Sequence, residues 1–99
     1  MTETPETWRI ARESLELVGP ITASAGGSPV DELDVVVLPA GVRPTDAAWG
    51  APEVVAGEMF VLVGPTSSSV LTPGEWWVWV RWLGNPGRPV LVAGVIVVT

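Results

Sequence analysis

The 99-residue sequence contains no cysteine, histidine, tyrosine, lysine or glutamine, and a single asparagine. Without cysteine there is neither a disulfide framework nor thiolate chemistry. Without histidine the chain lacks the usual general base and metal ligand near neutral pH. All five cations are arginines (Arg9, Arg12, Arg43, Arg81, Arg88), and eleven acidic residues bring the net charge to −6. That balance argues against a nucleic-acid partner, because phosphate neutralisation needs clustered Lys/Arg. It also disfavours anionic membrane surfaces. The longest unbroken apolar run, VLVAGVIVV from Val90 to Val98, has nine residues, whereas a membrane-spanning helix needs about 20. The opening MTETPETWRIARE is polar and acidic rather than signal-like. These features lead us to expect a soluble protein made in the cytoplasm, with no nucleic-acid or membrane partner. An Ala/Val/Gly/Pro/Arg-rich chain without lysine also suggests a GC-rich genome.

Charge of either sign is scarce. Only 16% of residues are charged and mean hydropathy is positive, whereas a solitary soluble domain carries about 25% charged residues. The chain is short of solubilising surface, and burial of part of that surface in an assembly is the simple explanation.

Glycine and proline are plentiful, eleven and ten respectively. They are spread as punctuation and cut the chain into short apolar runs, the pattern of an all-β sandwich or barrel. From Ser14 the chain alternates, with Leu15 and Leu17 on one side and Glu16 on the other. Leu33–Leu38 is a second strand with Leu33, Val35 and Val37 on one face and Asp34 on the other. Glu53–Ala56 reads as a short strand and Glu58–Val63 as a fuller one; the tryptophan-rich run and Val90–Val98 complete the set. Ala25–Glu32 and Gly84–Pro89 read as turns, and Pro39–Pro52 as a long loop. The tetrapeptide LVGP occurs at Leu17–Pro20 and again at Leu62–Pro65. The similarity hardly extends beyond it, so it reads as one strand-ending device used twice. With no long amphipathic helix and no βαβ alternation, the expected architecture is one antiparallel β-sandwich of about six or seven strands, immunoglobulin-like, over residues 14–99. An extended N-terminal arm, residues 1–13, precedes it.

No catalytic constellation emerges. Ser67, Ser68 and Ser69 have no histidine or lysine to activate them. Asp31, Glu32 and Asp34 lack the spacing of a dedicated calcium loop. Phosphate-binding glycine patterns are absent. We expect no enzyme, no catalytic residue, no cofactor and no metal site.

What remains is GEWWVWVRW, Gly74–Trp82, with four of the six tryptophans. Side chains alternate along a strand. Trp76, Val78, Val80 and Trp82 share a wholly apolar face, which should be core. Glu75, Trp77, Trp79, Arg81 and Leu83 share the other. Charges resist burial unless paired, so this face should look toward solvent or a partner. In the last strand, Leu91, Ala93, Val95 and Val97 form a second apolar side, covered either by another molecule or by the N-terminal arm or the Pro39–Pro52 loop. The interface candidates are therefore Trp77, Trp79, Arg81, Leu91, Val95 and Val97, since Trp and Arg are enriched at binding hot spots.

The segment LTPGEWWVWVRWLGNPGRPVLVAGVIVV resembles the C-terminal end of small β-sandwich proteins encoded among the structural genes of tailed phages and prophages of actinobacteria. The matching residues are Pro73-Gly74, Val78-Trp79-Val80-Arg81, Asn85-Pro86 and Pro89-Val90. Ile21–Asp31, Leu38–Pro44 and Phe60–Pro65 extend the likeness to roughly residues 14–98. Trp77 and Trp82 make this chain more aromatic than the pattern. The resemblance implies a structural protein located in the virion, present in many copies and attached at the head–tail connector. Its partners would be portal or connector proteins, the major capsid protein and copies of itself. The alternatives are a capsid decoration protein, or a binding module using Trp77, Trp79 and Arg81 for a host ligand such as a glycan.

Overall fold

The structure is a computed structural model that describes residues 6–25, 27–84 and 87–99. Gly26 and Asn85-Pro86, which the sequence places in turns, lie outside the described residues, as does the start of the N-terminal arm.

The chain is all-β. Nine strands are present among the described residues: β1 Glu6–Ile10, β2 Glu16–Val18, β3 Ser24–Ala25, β4 Ser28–Pro29, β5 Asp34–Pro39, β6 Glu53–Val55, β7 Glu58–Val63, β8 Gly74–Arg81 and β9 Val90–Val98. The excess over six or seven lies in β1 and in the two-residue pair β3–β4, both too short or too polar to announce themselves by alternation. One sheet runs β1-β9-β8-β5, a second runs β2-β7-β6, and β3–β4 forms a separate two-stranded antiparallel pair. Buried side chains from the two larger sheets form one core: Ile10, Val35, Val78, Val80, Ile96 and Val98 from the first, Val18 and Val63 from the second. Ile21, Leu33, Leu71 and Trp82 close it from the flanking segments. Leu33 and Val35 are buried with Val37 packed against them, as the alternation of that stretch requires.

The N-terminal segment is extended, and it belongs to the sheet. Glu6–Ile10 pairs in parallel with Gly94–Val98, so the main sheet is mixed rather than purely antiparallel. The reason is local. Trp8 and Ile10 sit on the inward side, and Trp8 lays its ring over Gly94, where a Cβ would land on the ring carbons and meet the Glu6 carbonyl oxygen. A residue without a side chain makes room for an indole. Gly94→Ala is expected to cost about 1–3 kcal/mol, the range for overpacking a filled site. In a Trp8→Ala background most of that cost should vanish. Urea unfolding of the two single variants and the double variant measures the coupling; additive effects would mean that Trp8 does not occupy that space.

The two LVGP copies lie against each other. Leu17 pairs with Leu62 and Val18 with Val61 across the antiparallel β2–β7 ladder. Each glycine ends its strand where backbone approaches closely: Gly19 faces Phe60 and the Met59 carbonyl, and Gly64 faces the Ser14 carbonyl.

Candidate functional site

The tryptophan strand splits as its alternation demands. Val78 and Val80 are fully buried, Trp82 joins them, and Trp76 packs against that core. Trp76 also donates its indole N–H to the Thr72 carbonyl at 2.8 Å.

The opposite face of β8 is roofed by the chain itself. β5 pairs with β8 in the register Asp34↔Arg81, Val36↔Trp79, Leu38↔Trp77, and paired residues point to the same side. Past β5 the chain turns back, and Gly50 forms a bridge with Val35 through Val35 N–H to Gly50 O (2.8 Å) and Gly50 N–H to Val35 O (3.0 Å). The intervening loop crosses this face. Arg43 places its guanidinium 5.5 Å from the Trp79 ring centre, and Arg81 lies 4.7 Å from the Trp49 ring centre; both are cation–π distances. Arg81 also binds Asp34 at 3.0 Å and reaches Asp46, in a single 3-10 turn Asp46–Ala48, at 3.8 Å. Its side chain is only 16% exposed. Arg81 is thus a clamp that fixes the loop to the sheet through two carboxylates and one indole.

Trp79 is 5% exposed. It meets Trp77 with ring centres 6.0 Å apart, and its indole N–H is buried without a hydrogen-bond partner. Trp77 is half-buried and donates to Glu75 Oε1 at 3.0 Å. Val95 and Val97 are half-buried beside it, opposite Trp77 and Glu75. Leu91 departs from that group. The β8–β9 register slips between Val78 and Trp79, where Ala93 is the extra residue. A bulge breaks the two-residue alternation, so Leu91 falls opposite Val80 on the inward side, where it is still exposed at the sheet's end. The six interface candidates therefore do not form one open face: Trp79 and Arg81 are covered from within the chain, Trp77, Val95 and Val97 are partly open, and Leu91 points the other way.

A second surface went unmarked in the sequence. On β7, Met59, Val61 and Val63 turn inward, which leaves Phe60 and Leu62 on the outward side. Leu17 and Val55 share that outward side through the β2 and β6 registers, with Glu53 and Glu58 at its β6 end. Leu15 is 52% and Leu17 46% exposed; Val55 is also exposed, and Phe60 and Leu62 are half-buried. The signal was available: EMFVLV is apolar on both sides, as is β9.

The serine loop is structural. Ser67 donates its hydroxyl to the Gly64 carbonyl at 2.7 Å and accepts from the Ser69 N–H at 3.1 Å. Among the described residues no cluster of three or more carboxylates is placed to hold a metal ion. No helix among the described residues is long and apolar enough to cross a membrane. No protein-family model, curated protein or solved structure matches this chain.

Proposed function

We propose that this protein is a structural component of a tailed-phage virion, present in many copies and attached at the head–tail connector. It works by burying its outward apolar surface against neighbouring subunits. The observation that carries the reading is the exposed apolar cluster of Leu15, Leu17 and Val55 on the outer side of the β2-β7-β6 sheet, edged by Glu53 and Glu58, on a chain with only 16% charged residues. Contiguous exposed apolar area of this kind marks an interaction site. The phage context itself rests on the resemblance of residues 14–98. A glycan platform has less support, because Trp79 is buried and Arg81 is engaged with Asp34 and Trp49.

The test is quantitative mass spectrometry of purified particles carrying either the wild-type chain or Leu15→Ser/Leu17→Ser. These exposed positions tolerate polar replacement within about 0.5 kcal/mol each, so the melting temperature of the free protein should barely move. Incorporation should fall several-fold. Absence of the wild-type chain from purified particles, or full incorporation of the variant, would overturn the proposal. Copy number relative to portal and to major capsid protein separates a connector from a decoration protein.

A further inference from the structure

We infer that the free edge of β6, with the cleft beside it, receives an extended apolar segment of a partner protein flanked by arginine or lysine. The segment adds as a fourth strand to the β2-β7-β6 sheet. This is independent of the virion reading, since it concerns a sheet edge rather than the outer sheet face and holds for any partner with that chemistry.

Four observations converge on it. β6 is the terminal strand of its sheet, and all three of its residues are exposed. Its hairpin with β7 closes through Ala56-Gly57, both at positive φ, in the register Val55↔Glu58, Val54↔Met59, Glu53↔Phe60. In a hairpin with a two-residue turn the closing pair exchanges both backbone hydrogen bonds and the next pair exchanges none. Val54 is in that next pair, so its N–H and C=O point away from β7. They make no other backbone hydrogen bond among the described residues. An exposed N–H and C=O on a sheet edge are a template for another strand.

The Val54 side chain shows that a place beside it is unfilled. It lies on the inward side with Met59 yet is 66% exposed. There the two sheets part, leaving a cleft of about 500 Å³ walled by Leu33, Val54, Met59 and Trp82. A strand docked on Val54 would direct alternate side chains into this space.

The occupant's charge follows from the rim. Asp31, Glu32, Asp34, Arg81 and Arg88 line the cleft. Arg81 is already matched by Asp34 and Asp46. Asp31 and Glu32 of the rim make no ion pair and no side-chain hydrogen bond among the described residues, nor do Glu53 and Glu58, which lie on the outward side of the hairpin where the other side chains of an added strand would run. Against them stands Arg88, so the locale is acidic, as is the whole chain at −6. A second copy fits poorly, because edge-to-edge pairing at β6 would bring the same acids of both copies together. A basic-flanked segment converts that repulsion into attraction.

The experiment is titration calorimetry of the intact protein with a synthetic peptide of about ten residues, alternating Val and Thr with two arginines at each end. Saturable binding tighter than about 1 mM is expected, weakening as salt screens the charges. Glutamates in place of the arginines should abolish it. Asp31→Asn/Glu32→Gln should weaken it about five-fold or more, the effect of losing two attractive rim charges. A peptide N-methylated at its central valine keeps charge and side chains but cannot pair with Val54, and should lose about ten-fold or more. Binding that ignores N-methylation, or no binding by the arginine peptide, overturns the inference. So does a concentration-dependent dimer in sedimentation that Val54→Glu dissolves, because the edge would then be occupied by a second copy.

Discussion

Replacing Trp79 with alanine will destabilise the free protein by about 3–5 kcal/mol, the cost of emptying a buried Trp site. The outward orientation of Trp79 on the second face of β8 invites the opposite forecast, an intact fold with a damaged surface. Burial decides between them. Arg43 stands over its ring, Trp77 borders it, and it is 5% exposed. The alanine variant removes the floor on which Arg43 rests and leaves a void under a loop that cannot collapse freely, since Gly50 and Arg81 pin its far end. Trp79→Phe is the informative companion. It keeps an aromatic face for Arg43 and removes an indole N–H that has no partner; an unsatisfied buried donor costs about 1–3 kcal/mol. The phenylalanine variant should therefore retain most of the stability that alanine loses. Denaturant unfolding of the three proteins checks this. An alanine variant as stable as wild type would mean that the loop does not roof the sheet in solution.

Gly64→Ala should be as damaging, by about 3–5 kcal/mol, the upper range for single substitutions. Two causes act together. Gly64 sits at φ +118°, where an L side chain is strained. Its Cβ would also land on the Ser14 carbonyl, with the Leu15 Cα close behind. Both obstacles are backbone, so no rotamer change relieves them. The Gly64 N–H donates to Ser69 O at 2.9 Å, and its carbonyl accepts from Ser67. A shift there disturbs the serine loop and the start of β2 together. Gly57→Ala is the control: it also has positive φ, but a Cβ would meet nothing within 4 Å. It should lose only about 1 kcal/mol, from backbone strain alone. Equal losses at the two positions would rule out the steric account.

The all-β class, the inward faces of β5 and β8 and the strand-ending role of both LVGP copies were legible because alternation and glycine placement are local signals. β1 was not, because its ladder depends on a partner some 88 positions away in sequence, Glu6 on Gly94. Periodicity carries no record of who pairs with whom. The side-chain assignment of Leu91 failed for a related reason: one extra residue at Ala93 reverses parity along the rest of the strand, and nothing in a run of valines marks it. Trp79 and Arg81 were correctly placed on the outward face, yet that face is closed by a loop whose sequence shows no regular pattern. The groove at Val54 required knowing where the two sheets part company.

The parallel β1–β9 ladder has a mechanical consequence. Glu6 lies beside Gly94 and Ile10 beside Val98, and hydrogen bonds from Thr99 N–H to Ile10 O and from Arg12 N–H to Thr99 O extend the seam. Tension pulling the Glu6 end one way and the Val98 end the other acts along these strands rather than across them. The five residue pairs must then yield together in shear, whereas an antiparallel pair held at the same ends would peel open one bond at a time. The seam between first and last strands therefore opposes such tension with its whole length at once.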